Sequence, residues 1–335
     1  MIVVGGEALV DLVDDDGSRR ALAGGGPFNT AVALGRLDVP VAFLGPISRD
    51  SGGRMLAQLL LDAGVDTSLV RWSDYPTPQA TVQRGCDGRN AYRFALPETA
   101  FTDLLPETLP ALPERAWAIY AGALALGVDP PASAYEALLD REAGRRQIIL
   151  DPNVRPVIFG DAVTYRRRFE RLAALADVVK LSDDDAAWIY PELGLADVAE
   201  LILNLGPRLV AVTRGAAGAT ARSAQASVDV PGIPVVVADT IGAGDSFGAA
   251  LVAALVDERA LGPSPARELE RAVLARAVSY AVAASAVTCT RTGAVPPTRG
   301  EIEAQLRAQA TQPGAAPSES APALGPATPE GGIAD

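Results

Sequence analysis

Short apolar, β-branched runs alternate with helical segments along most of the chain, and this rhythm narrows the fold more than any other feature. Ile2–Val4, ended by Gly5-Gly6, reads as a buried strand. Ala31–Leu37 reads as a helix, Val41–Leu44 as a strand and Met55–Leu61 as a helix again. Trp117–Tyr120, Ile148–Leu150, Val178–Leu181 and Leu209–Val212 read as further buried strands. Helices are expected over Ala132–Ala143, Asp161–Ala176 and Asp197–Leu205 between them. Such alternation predicts an α/β domain with a largely parallel sheet covered on both faces. With 335 residues, 49% of them hydrophobic, the chain can bury one large core.

Two regions break the rhythm. From about Ser68 to Leu96 the chain reads as strands with turn signals, and Asp87-Gly88 marks a hairpin. Together with residues 12–22 this segment is expected to form a small β-strand lid outside the main sheet. Ala217–Arg222 and Ser227–Val230 read as a second hairpin. One folded domain over residues 1–310 is expected. The remaining 311–335, rich in Ala, Pro, Gly, Ser and Thr, are expected to form a disordered tail.

Composition removes several kinds of chemistry. There is no histidine, which excludes Ser-His-Asp and Cys-His catalysis and His-ligated zinc. Lys180 is the single lysine, so acid–base work falls to Asp, Glu, Tyr, Lys180 or the two cysteines, Cys86 and Cys289. A net charge of −12 argues against a nucleic-acid partner. The most apolar stretches singled out, around Trp117–Val128 and Phe247–Val256, are short for a membrane span. The N-terminal Met-Ile-Val-Val-Gly-Gly-Glu has no basic region of a secretory leader, and two widely separated cysteines suit a reduced compartment. A cytoplasmic protein is therefore expected.

Two glycine-rich segments carry the functional signal. Asp239-Thr240-Ile241-Gly242-Ala243-Gly244-Asp245 follows the apolar run Val235–Val237 and precedes a helix with Phe247, Leu251, Ala254 and Leu255 on one face. The glycines are thus expected at a strand-to-helix turn. The first N–H groups of a helix are unpaired, and the helix dipole adds positive potential, so such a turn suits an anion. Asp245 falls in the first helical turn, where its carboxylate should be stabilised, and so should act as a weak base that takes its proton late. A capped helix start would use the same residue types. The second segment, Gly24-Gly25-Gly26-Pro27-Phe28-Asn29, leads into another helix, with Asp11 closing the preceding segment Ala8–Asp11. A carboxylate, an amide and bare backbone suit a polyhydroxyl ligand, although a flexible turn and a helix cap would read alike.

In these two motifs, their order and their separation, residues 1–300 resemble the ribokinase-like (PfkB) sugar kinases. Asp151-Pro152-Asn153-Val154-Arg155, Val212–Gly218 and Thr288–Ala294 resemble further family segments. The resemblance implies a three-layer, doubly wound, mostly parallel α/β sheet with a lid, using ATP and Mg²⁺, and K⁺ as a further ion. It implies Asp245 as the base, with the N–H groups of Gly242, Ala243 and Gly244 stabilising the transferring phosphoryl. Asp11, Gly24, Gly25 and Asn29 would hold the sugar, and Arg155 would reach the substrate or phosphate. Ser182, Thr213, Gly215, Gly218, Gly242 and Gly244 would meet the nucleotide. Asp239 and the carbonyls of Ile241, Thr288 and Gly293 would hold K⁺.

The sequence departs from that pattern twice. Many members carry Asn-x-x-Glu near the Mg²⁺–phosphate site, where this chain has Ser182-Asp183-Asp184-Asp185. Asp185 would reach Mg²⁺ through water, and the same run also suits a helix N-terminus. The helix around Ala281-Val282-Ala283 lacks the Asn that some members place near the nucleotide. Gly6-Glu7-Ala8-Leu9-Val10-Asp11 and Gly26-Pro27-Phe28-Asn29 are most similar to bacterial fructokinases. A 2-keto-3-deoxygluconate kinase is the alternative, with Tyr92, Arg93 and Arg89 as lid ligands for the carboxylate, and ribokinase is third. A non-catalytic regulator that binds sugar or nucleotide would be marked by loss of the base, which this chain retains. A homodimer through the lid is a further expectation.

Overall fold

The computed structural model describes residues 1–15, 18–84 and 90–311, with residues 13–15, 18, 19, 82–84 and 90–92 described by their backbone alone. The Asp87-Gly88 turn, Cys86, Arg89, the Tyr92 side chain and residues 312–335 lie outside the described set.

In chain order the first part comprises β1 (Ile2–Gly5), β2 (Leu9–Asp15), β3 (Ser18–Gly24), α1 (Gly26–Arg36), β4 (Val41–Ser48), α2 (Ser51–Asp62), β5 (Val70–Ser73), β6 (Gln79–Arg84) and β7 (Asn90–Ala95). The middle comprises β8 (Ala118–Gly122), α3 (Pro131–Glu142), β9 (Gln147–Asp151), α4 (Pro156–Phe159), α5 (Ala162–Ala173), β10 (Val178–Ser182), α6 (Asp183–Ile189) and α7 (Leu195–Leu205). The last part comprises β11 (Leu209–Thr213), β12 (Ala219–Ser223), β13 (Ser227–Val230), α8 (Ala243–Asp257), α9 (Arg271–Cys289) and α10 (Arg299–Ala310).

Nine strands form the central sheet in the order β13-β12-β11-β10-β9-β8-β1-β4-β5. All neighbours are parallel except β11–β12 and β12–β13. Successive side chains of a strand point to opposite faces. Hence Ile2 and Val4 pack into one core with α1, α8 and α9, while Val3 packs into the other with α3, α5 and α7. Val178 and Val179, and Leu209 and Val210, divide in the same way. Both faces are therefore covered, which is why these strands read as unbroken apolar runs.

A second, four-stranded sheet has the order β3-β2-β6-β7. It is the expected lid with one change. β5, counted in the lid from sequence, pairs parallel with β4 and closes one edge of the central sheet. The second predicted hairpin, β12–β13, forms as expected and extends the opposite edge of the central sheet. Both are short edge strands whose hydrophobic pattern alone does not say which sheet they join.

Two expectations near the phosphate motif are corrected. Val235–Val237 forms no strand. Val236 is 90% exposed, and the whole stretch 231–240 is irregular backbone. An apolar run of three residues is too short to distinguish a strand from a loop that lines a cavity. Also, α9 is long and apolar enough to cross a membrane by length and composition, though it was not singled out from sequence. More than half of it is buried inside the protein, where it packs along α8.

Strands β1, β9, β10 and β11 all end on the same side of the sheet. The chain leaves β1 toward β4 on one side and later returns to β8 on the other, so the strand order reverses at β1. In open α/β sheets the crevice beyond the carboxyl ends at such a reversal is where ligands bind.

Candidate active site

Two cavities open along this edge. The smaller, about 180 Å³, is lined by polar residues from several elements. Glu7 follows β1, Asp11 stands on β2, Asn29 on α1 and Asp245 on α8, while Asn153 and Arg155 follow β9. Asp11 therefore lies within the lid strand rather than closing a strand before it. The larger cavity, about 430 Å³, is mainly apolar, and its lining includes Thr213, Gly215, Gly218, Val237, Phe247, Val282 and Cys289. Thr240 and Gly244 line both cavities. The turn Thr240–Gly244 is thus the wall that the two cavities share.

Gly242 shows why that turn needs glycine. Its φ is +77°, and a Cβ there would lie 2.7 Å from the Cβ of Ala294. A left-handed backbone and a close neighbour together exclude a side chain. Gly242 caps α8, and its carbonyl accepts from the Ser246 N–H at 2.8 Å. The Ala243 N–H donates to the Thr240 carbonyl at 3.3 Å. Among the described residues the N–H groups of Gly242 and Gly244 meet no acceptor, so these two are available to an anion at the start of α8.

Asp245 is buried, and its Oδ2 accepts from Asn29 Nδ2 at 2.8 Å. Asn153 Nδ2 lies 3.4 Å from its Oδ1. Burial pushes its carboxyl up to about 6, against the Asn29 hydrogen bond and the charges of Lys180 and Arg155, which pull it down. The weak base expected from the helix start is corrected by desolvation, which outweighs the first-turn field. Burial likewise raises Asp11 to about 7, opposed by Arg155, and Glu7 to about 8.

The other sequence-predicted residues divide. Gly25, Asn29 and Arg155 line the polar cavity as expected. Gly24 does not, but a Cβ there would fall 2.3 Å from Asp11 Oδ2, so it makes room for that carboxylate. The Arg155 guanidinium folds back onto the carbonyls of Asn153 and Val154 and onto Asn153 Oδ1. Arg93 is exposed and does not line the cavity, whereas its strand neighbour Phe94 does. The strand was read correctly and its facing was not.

Ser182 and Asp185 form a capping box at the start of α6. Ser182 Oγ accepts from the Asp185 N–H at 3.0 Å, and Asp185 Oδ2 accepts from the Ser182 N–H at 2.8 Å. Asp185 Oδ1 accepts from the Val154 N–H at 2.6 Å, which fixes the loop after β9. Ser182 lines neither cavity. No group of three or more Cys, Asp and Glu side chains able to hold a metal occurs among the described residues. A divalent ion here would be held chiefly by the phosphates it accompanies.

Asp239 ties two loops together. Its Oδ1 accepts from the Thr240 and Ile241 N–H groups and its Oδ2 from the Gly293 N–H, at 2.7 to 3.1 Å. The carbonyls of Thr288 and Gly293 already accept from the N–H groups of Arg291 and Val295. A carbonyl oxygen has a second lone pair to offer a cation, and Asp239 holds together the two loops that carry these groups. Glu7, Leu9, Phe94, Leu124 and Asn153 were not assigned to the polar cavity from sequence. Asn153 stood in the segment Asp151–Arg155, and Glu7 and Leu9 in Gly6–Asp11, all singled out from sequence without a role for these three side chains.

The model for the pfkB family of carbohydrate kinases matches residues 1–299. The chain belongs to this family. A fructokinase of Rhizobium leguminosarum bv. trifolii is 38% identical over 291 residues, covering 81% of this chain and 89% of that one. An aminoimidazole riboside kinase of Salmonella typhimurium is 31% identical over 297 residues, covering 87% and 89%. Among solved structures, a fructokinase from Vibrio cholerae O395, determined with fructose, ADP and calcium ion, matches with a TM-score of 0.80. It is 27% identical and covers 91% of this chain and 98% of that one. The pfkB kinase thus has the mostly parallel sheet and small second sheet expected of it.

Proposed function

We propose that this pfkB kinase transfers the γ-phosphoryl of ATP to a hydroxyl of D-fructose, giving fructose 6-phosphate and ADP. The observation that carries the reading is the shared wall. A polar cavity with a buried carboxylate and a long apolar cavity meet at Thr240 and Gly244, where free backbone N–H groups point. Sugar occupies the polar cavity and nucleotide the apolar one, so the reacting hydroxyl and the γ-phosphate meet at the turn. Asp245 accepts the hydroxyl proton as the oxygen bonds to phosphorus and the bond to the ADP oxygen breaks. The N–H groups of Gly242 and Gly244 stabilise the charge spread over the transferring group.

The choice of a neutral sugar is supported by the groups around it. Glu7, Asp11 and Asp245 line the cavity, against Arg155 as the cation among the residues lining it. Burial keeps Glu7 and much of Asp11 protonated, so these carboxyls can donate to as well as accept from sugar hydroxyls, and Arg93, one of the lid residues expected to hold a keto acid's carboxylate, does not line the cavity. This disfavours 2-keto-3-deoxygluconate. The fructokinase relatives point the same way. Mg²⁺ accompanying ATP, K⁺ beside Asp239, a homodimer through the exposed side of the lid and a cytoplasmic location complete the reading.

The test is ADP release with Mg-ATP, with and without K⁺, against fructose, 2-keto-3-deoxygluconate, ribose and adenosine. A kcat/KM for fructose at least tenfold above the others supports the proposal. Preference for the keto acid, or no turnover of any of the four, overturns it.

A further inference from the structure

Beneath the phosphate turn lies a charged cluster that the reaction above does not use. Of 29 Lys and Arg residues, Lys180 alone is lysine. It stands on β10 and is 3% exposed. Its Nζ donates to Asp151 Oδ2 at 2.9 Å and to Oδ1 at 3.2 Å. The same carboxylate accepts from the Tyr120 hydroxyl at 3.0 Å. Three adjacent strands, β8, β9 and β10, thus each supply one member. A Cβ placed on Gly244 would sit 3.2 Å from Lys180 Nζ, so the ammonium lies against the turn itself.

The cluster is anionic apart from this ammonium. Asp151 from β9, Asp185 from α6 and Asp245 from α8 all act on Lys180. Burial works against its charge, and these carboxylates more than offset it, so the ammonium is held above the ordinary lysine range. Asp245 is faced by Asn29, Asp151, Lys180 and Arg155, with Asp11 across the polar cavity. Tyr120 and Tyr165, the remaining titratable groups beside the carboxylates, are held neutral by burial.

Stability alone does not require such a pair, because a buried ion pair is often no better than apolar residues of the same volume. Nor does composition explain it, since the chain uses arginine for every other cation. What lysine offers is a compact point charge that fits against a backbone turn, where a planar guanidinium would need more room.

We propose that Lys180 is a positioning residue for phosphoryl transfer, its ammonium fixed by Asp151 and Tyr120 so that it braces the Gly242–Gly244 turn from below and keeps positive charge beside Asp245. This rests on Asp245 being the base. The experiment compares Lys180→Met, Lys180→Arg and the charge-balanced pair Lys180→Met/Asp151→Asn with wild type, by kcat, KM for each substrate, melting and the pH profile of kcat/KM. Lys180→Met should lower kcat at least 100-fold with KM values changed less than threefold. Its acid limb should move to higher pH, because loss of the positive charge makes Asp245 harder to ionise. Lys180→Arg should not restore kcat.

If Lys180→Met does not fold, the charge-balanced pair decides. A folded pair that stays slow supports the proposal, and a pair with wild-type kcat overturns it, leaving the ion pair a structural element only. A folded Lys180→Met with wild-type kcat and an unmoved acid limb overturns it as well. Asp245→Asn separates the two failures. If that variant is active, the base assignment falls and this proposal with it. If it is inactive beside a wild-type-like Lys180→Met, this proposal alone falls.

Discussion

Buried carboxylates set the behaviour of the site at the scale of single residues. Asp245 must be ionised to take a proton, and burial raises it to about 6. kcat/KM should therefore be flat above that value and fall about tenfold per pH unit well below it, as a pH–rate profile would register. Replacing Asp245 by Asn keeps the shape and removes the base. We expect a loss of roughly 10²–10⁴-fold in kcat with nearly unchanged binding of both substrates by calorimetry. Glu7 answers to pH in a different quantity. Its Oε2 has no hydrogen-bond partner among the described residues, and its pKa is raised from 4.5 to about 8. A raised carboxyl binds its proton more tightly folded than unfolded, so the folded state loses stability as pH climbs from 4.5 to 8. The loss is on the order of 4 kcal/mol by pH 8. Glu7→Gln should accordingly melt ever higher than wild type as pH rises across that window. A melting difference independent of pH would contradict the assignment.

The Thr240–Gly244 turn and the strands around it show what can be read at the scale of elements. Gly242→Ala forces a side chain into a left-handed backbone against Ala294. We expect a stability loss of about 1–3 kcal/mol and a kcat loss well beyond it, measured by denaturant unfolding alongside turnover. The turn, its glycines and the helix after it were legible because glycine, helix periodicity and a first-turn Asp are local signals. Val235–Val237 was misread because a cavity wall and a strand both favour Val. β5 was counted in the wrong sheet, and the β12–β13 hairpin was found without the sheet it joins, since pairing partners are not local information. The facing of β7 was missed for a similar reason. Arg93 and Phe94 are neighbours, and only the pairing of β7 with β6 decides which of them looks inward. Glu7 left no signal of its role, because a lone acid after a strand does not reveal that the 3₁₀ turn at Leu124 will enclose it.

Taken whole, the molecule joins two sheets with different tasks. The central sheet fixes Asp245, Asn153 and the turn, while the small sheet brings Leu9 and Asp11 on β2 and Phe94 on β7 to the same cavity. Phe94→Ala should then raise KM for the sugar about tenfold and leave KM for ATP within twofold, since the apolar cavity is not lined by the lid. Equal effects on both KM values would mean that the lid reaches further than these contacts indicate.

Thr240 and Gly244 belong to two rooms at once, and this has a thermodynamic consequence. A ligand in either cavity meets the same short turn, so binding in one is expected to change the affinity of the other. Whatever factor separates the affinity for sugar with and without ADP must equal the factor by which sugar changes the affinity for ADP. A partition five residues long thereby makes each substrate a gauge of the other.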